Sequence, residues 1–168
     1  TNIVNLLQMD SDEKVTALIK VGADEYDMDD RYLVMVTRRG VIKRTPLSAY
    51  RNVRRMGLIA IGLDDGDELA WVRQTDGTSE LIVATRGGMA IRFDEQDARP
   101  LSRSARGVRA ITLEEGDEVV GMARVRKNGD ATVLTVSESG LGRRTEVSQY
   151  RLQSRGGKGI RNYYVDRN

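Results

Sequence analysis

Leu33-Val34-Met35-Val36-Thr37-Arg38-Arg39-Gly40, Leu81-Ile82-Val83-Ala84-Thr85-Arg86-Gly87-Gly88 and Val133-Leu134-Thr135-Val136-Ser137-Glu138-Ser139-Gly140 follow one pattern three times. Each is a run of aliphatic and β-branched residues that ends in a tight turn closed by glycine. The turn glycines lie 48 and 52 residues apart, at positions where a positive φ costs glycine least. Each turn leads into a second strand carrying cations: Val41-Ile42-Lys43-Arg44, Met89-Ala90-Ile91-Arg92 and Leu141-Gly142-Arg143-Arg144. Eleven positions beyond each turn glycine stands an arginine, at Arg51, Arg99 and Arg151. Another glycine (Gly57, Gly107, Gly159) opens a third strand over 58–63, 108–113 and 160–165. It runs into an acidic turn written almost identically twice, Asp64-Asp65-Gly66-Asp67-Glu68 and Glu114-Glu115-Gly116-Asp117-Glu118, with a weaker copy at Asp10-Ser11-Asp12-Glu13. A fourth strand follows each, over 15–19, 69–73 and 119–125.

Four short strands in about 50 residues are the anatomy of a propeller blade. The predicted fold is therefore all-β: a propeller-like partial array of about three four-stranded units, forming one domain. Its units run over 1–21 (partial), 32–74, 80–126 and 131–168 (truncated), and Asp24 to Asp30 reads as a loop between the first two. Both ends of the chain fall inside the repeat, which reads as part of a longer array. Unrelated hairpins sharing turn chemistry would neither keep the glycines in register nor duplicate the acidic turn.

Composition narrows the function. The 168 residues are 39% hydrophobic and 31% charged, the balance of a globular chain. No apolar run approaches the roughly 18 residues of a membrane span, so no membrane partner is expected. With no Cys there is neither disulfide nor thiolate site, which fits the cytoplasm. With no His the usual general base and zinc ligand are missing. The net charge of +2 conceals strong segregation. Residues 38–57, 86–109 and 138–161 hold 19 of the 27 basic side chains but only 5 of the 25 acidic ones. Basic stretches that recur with the repeat suggest a stripe of positive potential.

The most pointed local sequence is Gln153-Ser154-Arg155-Gly156-Gly157-Lys158-Gly159. Its glycines permit close approach of backbone amides to an anion, and Arg155 and Lys158 bring charge to the same place. The same slot holds 51–57 in the first full unit and 99–107 in the second, again rich in cations. The acidic turns lack the spacing of a calcium loop and read as solvated hairpin turns. Trp71 and Phe93 read as packing residues rather than base-stacking platforms.

Lys43-Arg44-Thr45-Pro46-Leu47-Ser48, Ile91-Arg92-Phe93-Asp94-Glu95, Ser104-Ala105-Arg106-Gly107-Val108-Arg109 and the 153–159 loop together resemble the C-terminal domain of DNA gyrase A, over essentially the whole chain. The resemblance implies a β-pinwheel, a ring of six blades with swapped strands around whose basic perimeter duplex DNA bends. This chain would supply somewhat over three of those units. Residues 153–159 match the family's signature heptapeptide except that Ser154 replaces its first basic residue, as in a degenerate copy.

On this resemblance the chain carries no catalytic residue, metal or cofactor; ATP and Mg belong to other domains or subunits of a type II topoisomerase. Its partners are duplex DNA and, in the parent heterotetramer, gyrase B and a second copy of gyrase A, in the bacterial cytoplasm at the nucleoid. The expected phosphate contacts are Arg38, Arg39, Lys43, Arg44, Arg51, Arg54 and Arg55 in the first full unit. In the second they are Arg92, Arg99, Arg103, Arg106 and Arg109, and in the third Arg143, Arg144, Arg151, Gln153, Arg155, Gly156, Gly157 and Lys158. The acidic turns are expected away from the DNA. Base-specific reading is not expected, since no recognition helix is evident. The rivals are the topoisomerase IV C-terminal domain, a protein-interaction propeller, and a hydrolase built on the clustered carboxylates.

Overall fold

The first full unit contributes β1 (Tyr32–Thr37), β2 (Val41–Pro46) and β3 (Leu69–Thr75), and the second contributes β4 (Ser79–Thr85), β5 (Met89–Asp94) and β7 (Val119–Arg126). Two-residue strands β6 (Val108–Arg109) and β10 (Ile160–Arg161) precede and follow β7, and β8 (Thr132–Val136) and β9 (Gly142–Glu146) form the hairpin of the third unit. This computed structural model describes residues 7, 9–54 and 56–165, in which the fold is all-β with short 3-10 turns. No helix among the described residues is long and apolar enough to cross a membrane.

The two complete sheets are antiparallel and run β3-β1-β2-β6 and β10-β5-β4-β7, so each blade is closed by a strand from the following unit. β6 pairs with β2 through Val41–Arg109 and Ile42–Val108, and β10 pairs with β5 through Ala90–Ile160 and Met89–Arg161. Bare strand edges are unsatisfied rows of donors and acceptors, and the exchange covers them. It needs a close backbone approach: a Cβ at Gly107 would lie 2.6 Å from the Ile42 carbonyl oxygen, and Gly159 meets the Ala90 carbonyl in the same way. The turn glycines behave as their register predicts, with φ of +81° at Gly40 and +84° at Gly88 and Gly140.

Four expectations are corrected. The repeat alone places all four strands of a unit in one blade; the third crosses to the preceding one, the strand swap that the family resemblance implies. Residues 58–63 are not strand; Gly62 instead donates to the Ala105 carbonyl at 3.1 Å. Residues 15–19 are not strand either, having no sheet edge among the described residues. The third unit is a two-stranded hairpin, and the exchanged strands expected over 108–113 and 160–165 each shrink to two residues.

Blades stack face to face, so central strands are buried on both sides and read as continuous apolar runs. Val34, Val36 and Ile42 meet Leu81, Val83, Ile91 and Phe93 between the first and second blades, with Trp71 packed against the edge. Ile82, Ala90 and Val125 meet Val147 and Tyr150 of the third unit. The apolar face of Val34 and Ile82 therefore always points toward the next unit. Leu134 occupies the same register, and it is 67% exposed.

Ile82→Ala should therefore cost about 2–5 kcal/mol as a core truncation, while Leu134→Ala should change stability by no more than about 0.5 kcal/mol. Urea unfolding of the two variants checks this; equal losses would contradict the stacking direction.

Candidate nucleic-acid interface

Two of the expected surface cations are in the core. Lys43 and Arg44 are 0% and 1% exposed. The Lys43 ammonium donates to the Ala60 carbonyl at 2.6 Å, to Ser102 at 3.2 Å and to the Arg103 carbonyl. Burial, reinforced by the nearby Arg103 charge, pushes its pKa down to about 8. Arg44 donates Nε to the Ala98 carbonyl at 2.8 Å and Nη2 to Gln96 at 3.0 Å, and its guanidinium lies 4.5 Å over the Tyr32 ring. Buried Glu95 approaches it to 3.8 Å and also takes Thr75 Oγ1 at 2.6 Å and the Ser79 N–H at 2.7 Å. A carboxylate of the second unit is thus locked into the first.

Arg92 repeats this arrangement one blade on. It pairs with Glu80 at 2.5 Å and donates to the Val147 and Tyr150 carbonyls at 3.0 and 3.1 Å. The backbone reinforces both sites: Leu101 donates to the Arg44 carbonyl at 2.8 Å and Gln153 to the Arg92 carbonyl at 3.0 Å. These arginines are latches between consecutive units and are not presented to a phosphate. Arg143 and Arg144, at the registers of Lys43 and Arg44, are exposed.

The glycine-rich loop is also occupied by its own fold. Gly156 donates to the Ala110 carbonyl at 2.6 Å, Thr112 donates to the Gly157 carbonyl at 2.9 Å, and Thr112 Oγ1 donates to the Gly156 carbonyl at 2.7 Å. Arg155 donates to the carbonyls of Asp97 and Arg109 at 2.9 and 3.0 Å. Arg103, at its register in the second unit, donates to the Ile59 carbonyl at 3.2 Å. Gln153 turns inward, with its Nε2 buried and unbonded. Lys158 is the exposed cation of this loop.

The acidic turns clamp the hairpin turns, a role that repetition of their Gly-Asp-Glu core signalled and charge counting missed. Asp67 Oδ1 takes the N–H groups of Arg39 and Glu68 at 3.0 and 2.8 Å; Asp117 Oδ1 takes those of Gly87 and Glu118 at 2.7 and 2.8 Å. These turns therefore do not lie apart from the basic residues. Arg38 stands between Glu68 at 2.9 Å and Glu118 at 3.7 Å, Arg39 donates to the Asp65 carbonyl at 2.9 Å, and Arg106 is paired with Asp64. Arg51 is paired with Asp27. Arg55 lies outside the described residues.

Among the described residues, Arg54, Arg99, Arg109, Arg143, Arg144, Arg151 and Lys158 are exposed and their side chains make no ion pair or hydrogen bond. Arg99 and Arg151 each lie just beyond a 3-10 turn, over Glu95–Asp97 and Val147–Gln149, at one repeated place in consecutive units. Such a set can bind a polyanion but offers no catalytic constellation. Phe93 is fully buried and Trp71 partly so, which leaves neither as a stacking platform.

Comparison with known proteins points to one family. The family model for the DNA gyrase C-terminal domain, a β-propeller, matches residues 31–76, 79–126 and 131–167. The DNA gyrase A protein of Haloquadratum walsbyi is 48% identical over 158 residues, covering 94% of this chain and 18% of that protein. Its Staphylococcus aureus counterpart is 44% identical over 159 residues, covering 95% and 18%. This chain thus spans about a fifth of the curated relatives it matches. Among solved structures, the C-terminal domain of a DNA topoisomerase IV superposes with a TM-score of 0.87 at 27% identity, over 95% of this chain and 49% of that one. A DNA gyrase A C-terminal domain gives 0.82 at 29% identity, over 95% and 52%.

Lys43 yields a pH signature. Its ammonium loses its proton near pH 8 in the folded chain and near 10.5 in the unfolded one, so between those values the unfolded state binds more protons. Folding stability attributable to this group therefore rises with pH across that window. The stability difference between wild type and Lys43→Met, followed by urea unfolding, should grow in favour of wild type from about pH 8 to 10; a constant difference would remove the buried ammonium.

Proposed function

The chain belongs to the DNA gyrase C-terminal domain family, and from that premise we propose that it binds duplex DNA without sequence preference and bends it along a row of loop cations. The observation that carries this reading is the split between two classes of basic residue. Those at the Arg44, Arg92, Arg103 and Arg155 positions are consumed in holding units together. Arg99, Arg109, Arg151 and Lys158 are left exposed and unpaired, spread over consecutive units. Cations that the fold does not need, with Arg99 and Arg151 at one repeated place in two consecutive units, suit the regular spacing of a phosphate backbone.

Bending a duplex through 40–90° costs on the order of 1–6 kcal/mol, which several such contacts can offset. In its parent the domain serves negative supercoiling as part of gyrase A, together with gyrase B and a second copy of gyrase A in the cytoplasm. Nucleotide hydrolysis and strand breakage belong to other parts of that assembly. A topoisomerase IV origin is the second reading, favoured by the superposition. The identities of 48% and 44% to gyrase A proteins favour the first.

If about 5 phosphates are neutralised, log K should fall with log salt at a slope near −4 to −5, and the chain should not cleave DNA. Arg99→Ala and Arg151→Ala should each weaken binding modestly and flatten the slope by about 0.9. Fluorescence anisotropy against salt tests this. A slope near zero would overturn the reading in favour of a protein-interaction surface, and a sequence preference would overturn the absence of base reading.

A further inference from the structure

Arg106 and Lys158 stand 18 positions beyond their respective turn glycines, yet their surroundings differ. Lys158 is exposed without a partner among the described residues. Arg106 donates Nε and Nη2 to the two carboxylate oxygens of Asp64, at 2.6 and 2.5 Å. The fork of two parallel N–H groups on two oxygens is the geometry in which a guanidinium takes a phosphate. Arg38, in the turn after β1, is likewise held by Glu68 and Glu118. The third unit's Arg143, Arg144, Arg151 and Lys158 carry no such partners among the described residues.

We propose that Asp64 is a built-in competitor for the DNA backbone: its carboxylate occupies the phosphate-binding face of Arg106, and a phosphate must displace it before Arg106 joins the track. This rests on the DNA-binding reading and adds an order to it. The unpaired cations, Arg99 and Arg109 of the second unit and those of the third, engage first, and Arg106 engages at a penalty. The hydrogen bond from Arg106 and its charge hold the Asp64 carboxyl below its ordinary pKa, so the competitor remains an anion. Both side chains are well exposed, at 63% and 40%, so the pair is screened by solvent and breakable. Exposed pairs of this kind correspond to an affinity penalty of about two- to five-fold.

The test compares wild type, Asp64→Ala, Asp65→Ala, Arg106→Ala and the double variant Asp64→Ala/Arg106→Ala for binding to a fluorescein-labelled mixed-sequence duplex over a salt series. Asp65→Ala removes the same charge one residue along without freeing Arg106. The expected result is about two- to five-fold tighter binding by Asp64→Ala, with a salt slope steeper by up to about 0.9. Asp65→Ala should gain less, and Asp64→Ala should bring no gain on the Arg106→Ala background. Equal gains from the two acidic variants, or a gain that survives without Arg106, would reduce Asp64 to general repulsion and overturn the inference. DNA binding by wild type with no gain from Asp64→Ala overturns this inference alone; absence of binding by wild type overturns the DNA reading and this with it.

Discussion

The outer edge of each hairpin's second strand has to be satisfied, and neither unit can do this with its own residues. The edges of β2 and β5 are closed by β6 and β10, contributed by the following unit, and extended by the bonds that bring Leu101 to Arg44 and Gln153 to Arg92. Everything else adapts to this exchange. Glycine is required at 107 and 159 because backbone passes against backbone there. The central strands are apolar on both faces because exchange fixes the blades face to face. The connection after each second strand is drawn onto the preceding blade, where its carbonyls meet a guanidinium.

The exchange also explains why so basic a chain has so modest a free positive surface. A loop that crosses between blades presents carbonyl oxygens with no strand partner, and arginine can reach several of them at once. Arg92 takes two carbonyls and a carboxylate; Arg155 takes two carbonyls. Each stapled guanidinium holds two units together and is unavailable for an external anion. The repeat therefore needs more cations than its ligand does, and a count of basic residues overstates the binding surface.

This distinction marks how far the sequence could be read. The turn glycines, the paired runs around them and the repeat length were legible because a tight turn leaves a local signature, and the φ values at Gly40, Gly88 and Gly140 follow from it. Strand exchange was not legible from composition or local pattern, since a two-residue pairing between Val41 and Arg109 leaves no trace in either neighbourhood. The burial of Lys43 did leave one: Ile91 stands at its register, and an aliphatic residue there marks an inward position. The acidic turns were recognised as repeated, yet their task depended on which residue of the turn was nearly invariant between copies. Asp67 and Asp117 clamp the hairpins, whereas the two acids before the turn glycine vary between copies and stay near the surface.

Exchange between neighbours also imposes a schedule on synthesis. β2 cannot acquire its outer partner until Arg109 exists, because Val41 pairs with it. A ribosome adding about 5–20 residues per second needs roughly 3–14 seconds to cover that interval. Throughout it the nascent first blade exposes a bare sheet edge, and the same wait recurs between β5 and β10. In a chain that folds as it is synthesised, each unit is finished by its successor, and translation speed sets the minimum interval of exposure.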